Sequence, residues 1–271
     1  MSLSSPVRRS LLAVTVALIT CSCTTQGPPS TTEPSAEPSP SESVPGTAAS
    51  EPAADVLPDM AMLPLETFRL AYEGDERVLR FDTDVINNGP GPVDVTGERK
   101  NTMTPDLKVK QNILLEDGST REVDTDAILR YETFDGHEHF HFQDFERYRM
   151  RPEGGSEWTG SHKEGWCLID DGNLGGKPSR YNPDNFDCGA YEEDEALEVR
   201  QGLTEGWVDV YDWYLEGQYI ELKGLEIPGN FCVEAEVDPE KLLTEVTRDN
   251  NIASALVRIT DTEVTIVRQG C

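Results

Sequence analysis

Three of the chain's four histidines, His137, His139 and His141, stand at every second position of the stretch "DGHEHFHFQDF" that runs from Asp135 to Phe145, and the fourth, His162, follows in "GSHKEGWC". Alternate residues of an extended strand share a face, so the three imidazoles line one side while Glu138, Phe140 and Phe142 take the other. Imidazole nitrogens suit copper, zinc, nickel or iron, and the order of complex stability favours copper(II) where it is available. Three protein ligands leave positions open for water, oxygen or substrate, as a catalytic rather than a structural metal centre requires. A flat strand spreads the outer two imidazoles over roughly 13 Å at ~3.3 Å per residue, so a twist or bulge must draw them together. The bland alternative is a polar stripe facing solvent. Three imidazoles in register, in a chain with only one more, favour the metal.

Other reaction classes find less support. Zinc proteolysis of the HExxH kind and serine hydrolysis at a GxSxG elbow both lack their motifs. Zinc hydrolysis with another carboxylate would need an acid/base near the ion, and Glu138 falls on the wrong face of a regular strand. Downstream, "EGWVDVYDWYLEGQYIEL" gathers Trp207, Tyr211, Trp213, Tyr214 and Tyr219. Alternation alone makes Tyr211 and Trp213 inward packing residues and sets Tyr214 on the opposite face.

The elements that would position these groups alternate with a period of two. "TFRLAYEGDERVLRFDTDVINNGPGPVDVTGER" reads as strands broken at Glu73-Gly74-Asp75 and at Asn87 to Pro92. "GQYIELKGLEIPGNFCVEAEVDP" reads as a hairpin-like pair turning at Pro228-Gly229-Asn230, and "NNIASALVRITDTEVTIV" as two strands split near Asp261. No segment carries a long apolar stripe at helical spacing. The expected fold is therefore all-β, an antiparallel β-sandwich with long functional loops and few helices. Asp170 to Glu195, rich in Gly, Asp and Asn, is expected to be one of those loops.

The opening "MSLSSPVRRSLLAVTVALITCSCTT" has a basic pair, Arg8 and Arg9, and an apolar run too short to span a membrane; it reads as an export signal over residues 1–22. Cys21 or Cys23 is positioned to carry a lipid anchor, with simple secretion as the alternative. Residues 23–57, dominated by Pro, Ser, Thr, Glu and Ala, form a tether that cannot build a core, and residues 58–271 form one domain. The four later cysteines, Cys167, Cys188, Cys232 and Cys271, are expected as two disulfides. Three connectivities are possible, and proximity favours Cys167 with Cys188 and Cys232 with Cys271. A net charge of −28 excludes nucleic acid as a partner and suits solubility or a cationic substrate.

The ordered set of His137-x-His139-x-His141 with "QDFERY", then "HKEGWCLIDD", then "GWVDVYDWYLEGQYIELKGLEIPGNFCVEAEVDPEKLL", then "RDNN", resembles the lysyl oxidase family from about Asp135 to Val257, and more weakly upstream to about Leu63. The resemblance implies that His137, His139 and His141 bind copper. It implies that Lys163 and Tyr211 are cross-linked into a lysine tyrosylquinone cofactor. It implies oxidation of primary amines, including peptidyl lysine, by molecular oxygen, with release of an aldehyde, peroxide and ammonia. Asp209, two residues before Tyr211 and so on its strand face, is a candidate base, and His162 would lie near the cofactor. The chain departs from the animal pattern at Thr133 and Phe134, which replace Trp-His, and at Gly136 and Gly217, which replace cysteines, so the disulfide framework and the walls of the cleft differ. The other expectation is a copper-binding or adhesive surface lipoprotein without a quinone, which would need the three histidines and have no use for Lys163.

Overall fold

The computed structural model describes residues 52–133, 138–160, 165–181, 188 and 193–271, and among them no helix occurs: the chain is all-β, in four antiparallel sheets. His137, His162, Lys163, Cys21, Cys23 and nearly all of the expected tether lie outside the described residues.

The largest sheet runs in the order β12 (Gly165–Trp166), β9 (His139–Gln143), β8 (Thr120–Glu132), β7 (Asp106–Leu115), β6 (Val93–Glu98), β14 (Glu198–Leu203), with β1 (Asp55–Val56) added to β7. Asp55 and Val56, placed at the tether's end from composition, pair with Leu115 and Leu114. A five-stranded sheet runs β11 (Thr159–Gly160), β10 (Glu146–Pro152), β17 (Gly229–Val237), β18 (Ile252–Ile259), β19 (Val264–Gln269). A four-stranded sheet runs β13 (Gly172–Asn173), β15 (Trp207–Tyr211), β5 (Thr83–Asn87), β2 (Met60–Met62), and a three-stranded one β16 (Tyr219–Glu221), β4 (Glu76–Phe81), β3 (Phe68–Glu73).

Alternation sends one side of each strand into a common core. Phe140 and Phe142 of β9, Leu129 of β8, Leu107 of β7, Phe81 of β4, Tyr148 of β10, Val233 of β17 and Trp166 of β12 are all fully buried in one cluster. Each such aromatic or aliphatic side chain contributes about 1.5–3 kcal/mol over its exposed state. The β3–β4 hairpin turns at Gly74 as its sequence predicts, and β18 and β19 part around Asp261. The stretch read as a turn after Asn87 joins β5 to β6, and there Gly91 passes so close to β1 that a Cβ would lie 1.9 Å from the Val56 carbonyl oxygen.

One expected pairing is corrected. β16 and β17 do not form a hairpin across Pro228-Gly229-Asn230; β16 pairs with β4, and β17 lies between β10 and β18 in another sheet. Their alternation was legible, but alternation says nothing about partners, and the nearest strand in sequence lost to a better cross-strand match. The favoured disulfides both form: Cys167 with Cys188 and Cys232 with Cys271.

Candidate metal and cofactor site

β9 lies between β8 and the two-residue strand β12, and all five of its residues are buried. Phe140 and Phe142 face the core, which sends His139 and His141 to the opposite side, as the alternation predicts. That side is not solvent: His139 is 8 % and His141 2 % exposed, so the stripe of the bland alternative is covered.

The imidazoles are held by named partners. His141 Nδ1 donates to Glu132 Oε2 at 2.6 Å, and Glu132 Oε1 accepts from Gln143 Nε2 at 2.9 Å. Glu132 stands opposite His139 at the end of β8 and diagonal to His141, so the sheet's register alone supplies the carboxylate. With its proton on Nδ1, His141 turns the lone pair of Nε2 outward, the arrangement in which a carboxylate orients a metal-binding imidazole. The Nε2 atoms of His139 and His141 lie 2.8 Å apart. Two nitrogens each ~2.0 Å from one ion and at right angles to each other are separated by about that distance, so this pair fits neighbouring positions of a tetragonal site such as copper(II) prefers. The close approach of β12 depends on Gly165, whose Cβ, if present, would stand 2.8 Å from the His141 Cβ and 2.7 Å from Gln143 Nε2.

β12 then carries the site to its second half. Gly165 pairs with Gln143 and Trp166 with Phe142, and the next residue, Cys167, meets Tyr211. Tyr211 Oη donates to the Cys167 carbonyl at 2.7 Å and accepts from its N–H at 2.9 Å, while the Tyr211 ring packs edge-on against Trp166. Tyr211 ends β15, opposite Thr83 of β5. Burial, then the charges of Asp209 and Asp171, hold its phenol well above the ordinary range, so it stays protonated at neutral pH. Asp209, 1 % exposed, stands two residues before Tyr211 on the same side of β15.

The His139 imidazole and the sulfurs of Cys167 and Cys188 offer atoms all within 4.8 Å of one another. Joined as a disulfide, the sulfurs are not ligands of the thiolate kind; they form a wall against the imidazole. The three residues Gly165, Trp166 and Cys167 thus tie the histidine strand to Tyr211. Lys163 is two residues before Gly165 in the chain, and His137 two before His139; neither is among the described residues.

Three polar residues that support the site, Gln218 and Arg80 buried and Glu132 partly buried, went unread in the sequence. Glu132 had no signal until the β8–β9 register was known. Gln218 donates to Thr83 Oγ1 at 3.0 Å and to the Phe81 carbonyl, with its own Oε1 3.2 Å from Tyr148 Oη, fixing the segment after Tyr211; its place in the pattern Asp209-x-Tyr211-x-x-x-Leu215-x-x-Gln218 was visible, its work was not. Arg80 holds the same segment by donating to the carbonyls of Trp213 and Leu215.

Residues 107–271, more than half of the chain, match the family described as Lysyl oxidase. Over 130 residues, 48 % of this chain, it is 27 % identical to a "Protein-lysine 6-oxidase" of Gallus gallus, covering 26 % of that protein, and 28 % identical to one of Sus scrofa, covering 44 %. The match therefore spans between a quarter and a half of those relatives' length.

Proposed function

This chain belongs to the lysyl oxidase family, and from that premise we propose that it is an exported copper-dependent amine oxidase. It would act on primary amines, including lysine side chains, with copper held by His137, His139 and His141 and a quinone derived from Lys163 and Tyr211. The observation that carries the proposal is the short bridge of Gly165, Trp166 and Cys167, which binds the histidine strand on one side and the Tyr211 phenol on the other. A protein that only sequestered copper has no need of the second contact.

When bound, copper with the quinone would supply the electron sink for amine oxidation and the means of passing electrons to oxygen. The chain's own residues prepare that chemistry. Glu132 holds the proton on His141 Nδ1 and so keeps Nε2 available as a donor to metal. The Cys167 peptide fixes the Tyr211 oxygen through two hydrogen bonds, and Trp166 covers the ring and keeps bulk water from it. Asp209 is the candidate to take the proton from the substrate carbon alpha to nitrogen, being a buried carboxylate on the same side of β15 as Tyr211. Two disulfides suit an oxidising compartment outside the cytoplasm, which supports export through the residue 1–22 signal, ending either in a lipid anchor at Cys21 or Cys23 or in secretion.

The test is to load the purified protein with copper in air and add phenylhydrazine. A visible hydrazone band is expected in the wild type and is expected to vanish in Lys163→Ala and in Tyr211→Phe. Copper bound without a band in the wild type would overturn the quinone and leave a copper-binding surface protein.

A further inference from the structure

Gln201 is a buried amide, 1 % exposed, on β14, the strand at the opposite edge of the largest sheet from β12. A flat sheet would hold β14 and β9, four places apart, roughly 19 Å from each other at ~4.8 Å per strand. The sheet curls instead, and the Gln201 side chain spans what separation remains. Its Nε2 donates to the Phe140 carbonyl of β9 at 2.5 Å and to the Cys188 carbonyl at 3.0 Å, while its Oε1 accepts from the Leu168 N–H at 3.5 Å.

The place it occupies is a fork. The β9–β12 ladder pairs Gly165 with Gln143 and Trp166 with Phe142, and ends there. Two residues on, the same register would set Leu168 opposite Phe140. The chain after Trp166 is laid on β14 instead: the Gly202 N–H donates to the Leu168 carbonyl at 3.1 Å, and the Thr204 N–H to Asp170 Oδ1 at 2.7 Å. A primary amide carries the donor and the acceptor of a peptide group. Gln201 therefore fills the fork as a piece of main chain would, bonded to Phe140 on one side and to Leu168 on the other.

Both peptides that it holds belong to the candidate site. The Phe140 carbonyl is part of the peptide that joins Phe140 to His141, between the two imidazole-bearing residues of β9. The Leu168 N–H is part of the peptide whose carbonyl, that of Cys167, accepts from Tyr211 Oη at 2.7 Å. One run of hydrogen bonds thus leads from the histidine strand, through the Gln201 amide and a single peptide group, to the Tyr211 phenol. Buried bonds in such a run polarise one another, so no member shifts alone. The remaining bond ties in Cys188, whose disulfide with Cys167 lies against His139.

We propose that Gln201 is a positioning residue that sets the Tyr211 ring relative to the His139–His141 pair, acting through the Phe140–His141 and Cys167–Leu168 peptides. This rests on the reading in which Tyr211 becomes a quinone beside copper, and adds to it the side chain that aligns the two for that conversion.

The test compares the wild type with Gln201→Met, which keeps the length of the side chain and removes its hydrogen bonds, and with Val257→Ala, a core change on β18 that lowers stability away from the fork. Copper affinity is measured by chelator competition. The appearance of the phenylhydrazine-reactive group is timed after copper is added in air to protein expressed and purified without it. Labelling with 3-fluorotyrosine gives the fluorine resonance of residue 211 in that copper-free protein, assigned by its loss in Tyr211→Phe. In Gln201→Met the resonance is expected to move and the rate to fall at least about tenfold, a displacement of ~1 Å being enough to cost ~100-fold. Copper affinity is expected to stay within threefold, and Val257→Ala to match the wild type in all three measurements. An unmoved resonance, a rate within twofold of wild type, a copper affinity that falls as far as the rate, or equal slowing in Val257→Ala would each overturn the proposal. If Gln201→Met does not fold, Gln201→Asn, whose shorter amide cannot span the fork, decides by the same measurements. A wild type without a hydrazone band would defeat the quinone reading, and the fluorine resonance would still decide the role of Gln201.

Discussion

The five-stranded sheet and the corner where β9, β12 and β15 meet are built from similar strands, yet they treat polar groups in opposite ways. Along β10 and β17, Arg147 stands opposite Glu236 and Arg149 opposite Glu234, and each pair is bonded across the ladder at the sheet's surface. At the corner, His139, His141, Glu132 and Gln143 are packed inside the protein and hold one another by hydrogen bonds, with Tyr211 pinned to the Cys167 peptide. Each region has its disulfide. Cys232–Cys271 ties the last residue of the chain to β17, and Cys167–Cys188 lies against the His139 imidazole. The first sheet spends its charges on itself and can lose a pair cheaply, since exposed pairs contribute at most about 1 kcal/mol. The corner fixes the direction of particular lone pairs, so a small change there costs function before it costs stability.

Removing the disulfides separates these two roles most sharply. On a loop-entropy basis, the 39-residue separation of Cys232 and Cys271 is worth about 4 kcal/mol and the 21-residue separation of Cys167 and Cys188 about 3. Denaturant unfolding is expected to show the larger loss for the Cys232→Ser, Cys271→Ser double variant. Chelator competition is expected to show the reverse for copper: affinity near wild type in that variant, and a fall of about a hundredfold when Cys167 and Cys188 are replaced, because the wall beside His139 is gone. Equal copper loss in both would break the comparison.

A matched pair of isosteric changes sharpens it at lower cost. Glu132→Gln leaves the shape of the corner but can no longer hold the proton on His141 Nδ1 as a carboxylate does, and copper affinity is expected to fall about 10–100-fold. Glu234→Gln makes the same change in the ladder to Arg149, where copper affinity should stay within twofold and stability within about 1 kcal/mol. Copper titration of both variants against one chelator gives the ratio directly.

The two regions also differ in how far they could be read from sequence. The face shared by His139 and His141, the core role of Phe140 and Phe142, the β3–β4 and β18–β19 strand pairs and both disulfides follow from period-two alternation, turn residues and proximity, all of which are local. Glu132 and Gln218 did not follow, because each gains its meaning from a strand distant in sequence. Glu132 becomes a partner of His141 only once β8 lies beside β9, and Gln218 only once Tyr148 and Thr83 face it. The misplaced β16–β17 hairpin has the same origin: alternation defines faces, whereas partners are chosen by the assembled sheet.

The smallest expected effect concerns the outer side of the four-stranded sheet. Asp84 pairs with Val210 across β5 and β15, on the side opposite Tyr211, and its Oδ1 is buried without a hydrogen-bond partner among the described residues. Burial first, then the charges of Asp82, Asp212, Glu66 and Asp171, push its carboxyl up to about 6 from 3.8. A raised carboxyl means that the folded state keeps a proton the unfolded chain has already lost. Asp84 therefore costs nothing below pH 3.8, destabilises progressively as pH rises toward 6, and exacts its full penalty above that. Asp84→Asn is expected to raise stability at pH 7.5 by about 1 kcal/mol, the partly solvated side chain screening the rest, and to change nothing below pH 4. Glu236→Gln, in the compensated ladder, is expected to shift stability the other way and by less. Urea unfolding at the two pH values measures both. A flat difference for Asp84→Asn would mean that this face is compensated as the ladder is, and that the contrast between the regions is confined to the histidine corner.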